Sequence, residues 1–367
     1  MTVAAPERTE EDRTAAPDPR EAALRRRRKR ILWAGCTTLG AFLLVMLFLM
    51  PLGYGAVTSL KDKDQVSDPD AGVLPVAEAA FEYEGEEYDV YSVPMPDGTV
   101  RELALLEPGR ESSLVIDPAD PEAGPITWEG RWRTLDPVVE FSPQWGNFAE
   151  AWDTIDFLRL TGWTLFYALT TVVATVVSSA VVAYGFARFR FPFRGVLFGV
   201  LMATILLPPA VTLVPKYAVF LQMGWVGTYL PLIVPHFFAN AFNVFLLRQY
   251  FLTIPRELEE AARIDGAGPI RTFLKVIVPQ AVPALTAVSL FHFFYAWNDF
   301  FEPLLYLAGN RDIVPIGVGL SYFSGVYNTE PHLILAAALL ALALPVAIFL
   351  AAQRVFVRGI VVTGVDK

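Results

Sequence analysis

The chain has 367 residues, of which 54% are hydrophobic and 18% charged, where soluble domains carry about 25% charged residues. So little polar surface cannot cover so much apolar material, which excludes one large soluble protein, a disordered chain and a collagen. The formal net charge of −9 argues, as an average, against a nucleic-acid partner. Cys36 is the only cysteine, so no intrachain disulfide and no multi-cysteine zinc site can form. His236, His292 and His332 lie far apart in no ligand-like spacing, and each is expected to be an interhelical or interfacial polar group, with no metal site.

Residues 1–30 form a tail that ends in the basic stretch 25–30. A helix needs about 20 residues to cross the roughly 30 Å hydrocarbon core of a bilayer. Six runs free of Asp, Glu, Lys and Arg reach that length: 31–57, 160–187, 195–215, 217–247, 276–298 and 332–353. The first is read as a retained anchor, because it is long and lacks a small-x-small cleavage site at its end. The run 217–247 exceeds what a span needs, so its early part, around Gly224 and Gly227, is expected to be a connection. The uncharged stretch 313–329 is rich in Gly and Ser and is read as a loop or short re-entrant segment. Pro208, Pro209, Pro231, Pro235, Pro283 and Pro345 fall in or near these runs. A membrane bundle tolerates them, either as local shape or as hinges.

The positive-inside bias places the N-terminus in the cytoplasm, and six spans return the C-terminus there. Connection 188–194 then carries three Arg and no acid, and connection 248–275 carries five basic residues. Segment 58–157 lies outside on this topology, with 23 acidic and 6 basic residues. In it, Pro96-Asp97-Gly98 is a hairpin-type turn between strand-like stretches 88–91 and 100–106. Stretches 113–116 and 126–132 read as further short strands, giving a small β-rich subdomain at about 80–140. Its expected roles are shielding the outer mouth, packing on a neighbour, or docking a solute-binding partner. The acidic run 82–89 lacks EF-hand spacing for calcium. Split by side, residues assigned inside carry 20 basic and 11 acidic groups, and those assigned outside carry 9 and 27. A basic inner face suits anionic lipid.

Residues 158–353 form the remaining five-helix core, followed by a cytoplasmic tail, 354–367. Within the core, loop 248–279 carries the strongest signal. The stretch 248–280 reads RQYFLTIPRELEEAARIDGAGPIRTFLKVIVPQ. Pro255 suits a first helical position, and Glu257, Glu259 and Glu260 sit near the positive end of the helix dipole. Ala261 and Ala262 permit close approach of another surface. Gly266 and Gly268 end the helix and allow a sharp turn. A second short helix follows from Pro269 to Lys275, with Ile270, Phe273 and Leu274 as an outward apolar face. Four acids in so short a stretch weaken the alternative of a helix that contacts only lipid.

Glu260-Ala261-Ala262, three residues, Gly266, nine residues, then Val276-x-Val278-Pro279 resembles the EAA-x3-G-x9-I-x-L-P signature of permease subunits of binding-protein-dependent ABC importers. Val stands for Ile and for Leu in the last part. The stretches GFARFRFPFRG, FLLRQYF, YAWNDFFEPLLYL and QRVFVRG resemble the carbohydrate-importer branch, typified by the second maltose-importer permease. The resemblance covers 148–359 well and 31–60 loosely; the acidic segment at about 66–140 lies outside it.

The resemblance implies an all-α polytopic membrane protein with six transmembrane helices of the ABC-importer permease type, and a small β-rich extracellular insertion between helices 1 and 2. It implies a subunit with no catalytic residues and no cofactor of its own. The chain lacks a Gly-x4-Gly-Lys-Ser/Thr phosphate loop, so ATP and Mg would bind a partner ATPase dimer. Glu257, Glu260, Ala261, Ala262, Asp265, Gly266, Ile270, Phe273 and Pro279 would couple this chain to that dimer. Further expected partners are a second homologous permease, an extracytoplasmic solute-binding protein and membrane lipid, with no nucleic acid. For the substrate path, polar groups inside apolar runs are the candidates: Asn240, Asn243, Tyr295, Trp297 and Asn298. Amides with aromatic rings suit a sugar, although each group also fits helix–helix hydrogen bonding or an interfacial aromatic belt. Asp299 and Glu302 are expected at the outer mouth. An importer of the same build for a polyol or glycerol phosphate remains the alternative, and a cation in the path would favour it, but the runs themselves hold no Lys or Arg. A stand-alone channel or scaffold would leave the loop without a partner.

Overall fold

The computed structural model describes residues 19–69, 71–323 and 330–361, with side chains from 27 to 353. The chain divides into two units, 1–55 and 56–367. In the first unit the described residues belong to helix α1 (Pro19–Thr58). It takes in the basic stretch as well as the apolar one, and residues 27–54 are exposed along it.

The second unit opens with α2 (Lys63–Ser67), whose Asp62 cap accepts a hydrogen bond from the Gln65 amide at 3.0 Å. Eight strands follow: β1 (Val76–Glu78), β2 (Ala80–Tyr83), β3 (Glu86–Pro94), β4 (Val100–Glu107), β5 (Ser112–Ile116), β6 (Ile126–Glu129), β7 (Asp136–Pro137) and β8 (Val139–Phe141). Strands β2 to β6 pair antiparallel in chain order, β7 joins β3, and β1 pairs with β8. Alternation along β4 and β5 sends Leu103, Leu105 and Val115 to one face with Trp128, and Ala104 and Ile116 to the other with Val90. The β3–β4 turn is closed by the Met95 amide on the Thr99 carbonyl at 2.8 Å, and Gly98 supplies the positive φ of +82°. Stretch 126–132 does not continue as one strand. Gly130 at φ +155° turns its amide onto the Glu111 carbonyl (2.8 Å), and a 3-10 turn, Trp132–Thr134, follows.

The segment leaves and returns at one place. The Gln144 amide donates to the Leu60 carbonyl at 2.8 Å, and Asn147 Nδ2 donates to the Ser59 and Lys61 carbonyls, each at 2.8 Å.

The helices after the sheet are α3 (Gly146–Thr154), α4 (Phe157–Arg188), α5 (Arg194–Ala203), α6 (Pro209–Gln222), α7 (Leu230–Ile233), α8 (Ala241–Thr253), α9 (Glu257–Ile264), α10 (Pro269–Thr272), α11 (Val278–Gln280), α12 (Val282–Trp297), α13 (Phe301–Tyr306), α14 (Ile316–Gly319) and α15 (Pro331–Val361). The protein is therefore mostly helical with one β-sheet region, which lies between α1 and the later helices in the chain. Helix α4 is central. Its buried face is mainly small residues, including Ala168, Thr171, Thr175, Ser179, Ala180 and Ala183, which lets α8 and α12 approach closely.

Among the described residues four helical stretches are long and apolar enough to cross a membrane: Arg27–Thr58, Phe157–Arg188, Leu230–Thr253 and Pro331–Gln353. The runs 195–215 and 276–298, expected as continuous spans, are broken. Segments Arg194–Leu206 and Pro209–Gln222 meet at 97°, and Pro269–Gln280 and Val282–Trp297 meet at 79°. The first break follows from consecutive prolines: Pro209 pushes Pro208 into extended backbone, φ −61° and ψ 131°. The second sits at Ala281, two residues ahead of Pro283, a residue with no amide hydrogen to donate to the turn before it. The run 217–247 is also divided, because residues 217–222 finish α6 and the next apolar stretch starts at Leu230. Residues 313–323 form short turns around α14, and 324–329 fall outside the described residues.

Candidate functional site

Loop 248–279 begins inside α8, which runs to Thr253. Helix α9 then carries its acids in the first turn, Glu257, Glu259 and Glu260. Its end is built by the Gly266 spacing. The Gly266 amide donates to the Arg263 carbonyl (2.9 Å) and the Ala267 amide to the Ala262 carbonyl (2.8 Å), with Gly266 at φ +78°. These two bonds form a Schellman motif, in which a left-handed residue just past the helix satisfies its last carbonyls. The second bond brings Ala262 and Ala267 together across the turn, the two positions between which an apolar contact commonly accompanies this motif. Gly268 in extended backbone and Pro269 then start α10, and a π-helical turn at Phe273–Ile277 carries the chain towards α11.

The loop exposes apolar side chains among charges of both signs, Glu257, Glu260 and Asp265 with Arg256, Arg263, Arg271 and Lys275. Ile264 is 87% and Ile270 76% exposed, with Leu258 and Leu274 also exposed. Glu257, Glu260, Ala261, Asp265, Gly266 and Pro279 are exposed and Ala262 is half-buried. Phe273, expected to face outward with Ile270, turns inward instead. Its ring lies 4.8 Å from that of Tyr184, within the core shared by α4 and α8.

Two residues on this loop were not among the coupling residues expected from the sequence. Ile264 is the most exposed apolar side chain of the loop; its signal was an isoleucine directly before Asp265-Gly266 in a polar helix. Glu259 is buried, unlike the acids around it. It pairs with Arg188 Nε at 2.6 Å, with 7% and 4% of the two side chains exposed. Arg188 Nη2 also donates to the carbonyls of Phe251 and Ile254, each at 2.7 Å. One guanidinium at the end of α4 therefore holds the end of α8 and the start of α9. No sequence signal distinguished Glu259 from Glu257 and Glu260, because its partner lies 71 residues away.

The five expected path residues separate. Asn240 and Tyr295 line one cavity of about 320 Å³, together with Lys216, His236, Glu302 and Tyr306. Trp297 and Asn298 line another of about 570 Å³, formed with α14 and α15. Asn243 is buried among the helices and reaches neither. Asn240 caps α8, its side chain accepting from the Asn243 amide at 3.1 Å. Four further features depend on the fold. Lys216, assigned to an outer connection, lies in α6 and brings a cation into the cavity. Glu302, expected at a mouth, faces the same space. His236 and His292 meet with ring centroids 4.8 Å apart, and Thr175 Oγ1 lies 3.1 Å from one and 3.4 Å from the other. Asp299 accepts from the Tyr167 hydroxyl at 2.8 Å.

The sequence profile of the binding-protein-dependent transport system inner membrane component matches residues 179–362, half of the chain. The chain belongs to this family. The match runs from within α4 through the loop to α15 and leaves out the β-sheet. Among relatives of this permease, the osmoprotective compounds uptake permease protein GgtD of Synechocystis is 34% identical over 65% of this chain and 80% of that protein. The sn-glycerol-3-phosphate transport system permease protein UgpE of Pectobacterium atrosepticum is 34% identical over 61% and 82%. The probable ABC transporter permease protein YurM of Bacillus subtilis is 33% identical over 65% and 82%. A crystal structure of a bacterial ABC transporter involved in the import of the acidic polysaccharide alginate has the same fold, with a TM-score of 0.61 at 19% identity over 89% of this chain and 97% of that one. The permease is thus a multi-pass membrane component of an ABC importer.

Proposed function

We propose that the permease moves a sugar or oligosaccharide into the cell by alternating access, driven by ATP hydrolysis on a separate ATPase dimer. Its six spans are the four long helices and the two bent pairs, with both termini cytoplasmic and the β-sheet region outside. A second homologous permease completes the pathway, and a solute-binding protein delivers the solute from outside. ATP and Mg belong to the ATPase.

The exposed loop surface carries this reading. Leaving Ile264 and Ile270 in water is unfavourable by about 25 cal/mol per Å² of apolar surface, and a patch of this kind marks a protein contact. Glu257, Glu260 and Asp265 around it supply polar, specific contacts to the ATPase. The Schellman turn at Gly266 and the Arg188–Glu259 pair fix the loop to α4 and α8, so a push on α9 reaches the membrane helices. Pull-down of the tagged chain is expected to recover the ATPase, and Gly266→Asp to abolish transport. Recovery of no ATPase together with intact transport in Gly266→Asp refutes the reading.

A second reading has its own support. Lys216 gives the cavity it shares with Glu302, His236 and Asn240 a cation for an anionic polyol such as glycerol phosphate, and several relatives carry that substrate in their names. Uptake by the reconstituted importer of labelled maltose, glycerol and glycerol 3-phosphate separates the two.

A further inference from the structure

Segment 58–157 holds 23 acidic but only 6 basic residues. Three of the six are engaged: Arg101 with Asp97 at 3.6 Å, Lys63 with Glu330 at 3.3 Å, and Lys61 with the Gly72 carbonyl at 2.8 Å. The other three, Arg110, Arg131 and Arg133, converge on one cleft of about 770 Å³, between the β4–β5 turn and the turn after β6. Among the described residues none of the three makes an ion pair. Although the segment is rich in acids, the fold gathers the three arginines where only Glu111 among the acids lines the same space.

Both walls of the cleft are fixed. The Gly109 amide donates to Ser113 Oγ at 3.1 Å, and a Cβ on Gly109 would fall 1.7 Å from the Ser112 carbonyl oxygen, so the turn accepts only glycine. The Gly130 amide ties the second wall to the first through the Glu111 carbonyl. Thr134 Oγ1 donates to the Arg131 carbonyl at 2.8 Å, closing the 3-10 turn. The Trp132 ring packs edge-on against Tyr91 at 6.3 Å and carries the Arg133 guanidinium 5.4 Å above its centroid. A cation–π contact of this kind holds a planar donor fork in place before any ligand arrives.

We infer that this cleft is a binding site for a small hydroxylated oxyanion, a sugar acid or a polyol phosphate. Guanidinium forks match the two oxygens of a carboxylate or phosphate, and three of them lining one cleft supply a local positive charge within an otherwise acidic segment. Glu111 can only accept hydrogen bonds, so it repels a bare ion but receives a ligand hydroxyl. Trp132 covers the apolar edge of the carbon skeleton. The volume lies within the range of about 300–1,000 Å³ usual for small-ligand pockets. The site lies apart from the cavities among the helices and does not depend on which solute crosses them.

Calorimetric titration of the full chain in lipid nanodiscs tests it, with galacturonate and glycerol 3-phosphate as probes and galactose and glycerol as their uncharged counterparts. At least one anion is expected to bind about tenfold or more tighter than its counterpart, and to weaken as salt rises from about 0.05 to about 0.5 M. Galacturonate alone identifies a sugar-acid site, and glycerol 3-phosphate alone a phosphate-ester site. Arg131→Ala and Arg133→Ala are each expected to weaken binding about tenfold. Arg131→Lys and Arg133→Lys, which keep the charge and lose the fork, should fall between these and the unaltered chain. Tryptophan near-ultraviolet circular dichroism confirms that each variant keeps the sheet. Binding of both anions no tighter than their counterparts, or undiminished binding in the folded Arg→Ala variants, overturns the inference.

Discussion

Glu259→Ala is the most informative single change in the loop. It removes the carboxylate that faces Arg188 and leaves a guanidinium with 4% exposure among α4, α8 and α9. Removing one partner of a buried pair costs about 3–5 kcal/mol, chiefly through the charge left unpaired. Arg188 keeps its two bonds to the Phe251 and Ile254 carbonyls, which partly compensate it, so the lower end, about 3 kcal/mol, applies. That energy falls on the junction of α8 and α9 rather than on the whole fold, so it should appear as local opening. Amide hydrogen exchange over residues 257–266 is expected to accelerate roughly a hundredfold, while amides in the middle of α4 keep their rates. ATP hydrolysis by the assembled importer should continue while transport per ATP falls, because the ATPase still docks on a loop no longer held to α4. Replacing both partners by Met should restore much of the protection, since an apolar pair leaves no orphaned charge. Unchanged exchange in Glu259→Ala, or additive losses in the double variant, would refute the argument.

Other expectations follow from single positions. Gly266→Val should cost about 1–2 kcal/mol through the left-handed backbone alone, because nothing lies within 4 Å of an added Cβ; Gly266→Asn should be milder, measured as α9 exchange and as ATPase recovery in pull-downs. Ile264→Asp should leave thermal stability unaltered, since the side chain is 87% exposed, and reduce ATPase recovery about tenfold or more. Gly109→Ala should unfold the β4–β5 turn, read as lost near-ultraviolet signal from Trp128 and Trp132, with the helical signal retained. Lys216→Met should lower uptake of an anionic solute at least about tenfold and spare a neutral one; equal effects on both would remove the cavity cation from substrate choice.

The loop was legible in the sequence because its physics is local. The acids of the first α9 turn and the Gly266 spacing act within a few residues, and the helix end they imply is the Schellman turn that forms; Pro255, expected at the first helical position, instead lies one residue ahead of the Arg256 cap. The Pro96–Gly98 hairpin was legible for the same reason. The bent helices were only half legible. Six uncharged runs were visible, but hydropathy measures length and apolarity, not direction, so the 97° and 79° bends at Pro208 and Ala281 were not.

Long-range pairing was decided by tertiary structure alone. Glu259 looks like its neighbours until Arg188 is packed beside it. Lys216 reads as a connection residue until α6 bends it into the cavity with Asn240 and His236. Two histidines 56 residues apart share a threonine only because α4 carries small residues that draw in α12. Composition marked the chain as a membrane protein, and the resemblance carried by the Glu260–Pro279 spacing pointed to the permease family. Where its buried charges and unpaired arginines meet depends on contacts between segments distant in sequence, and only the packed chain brings those together.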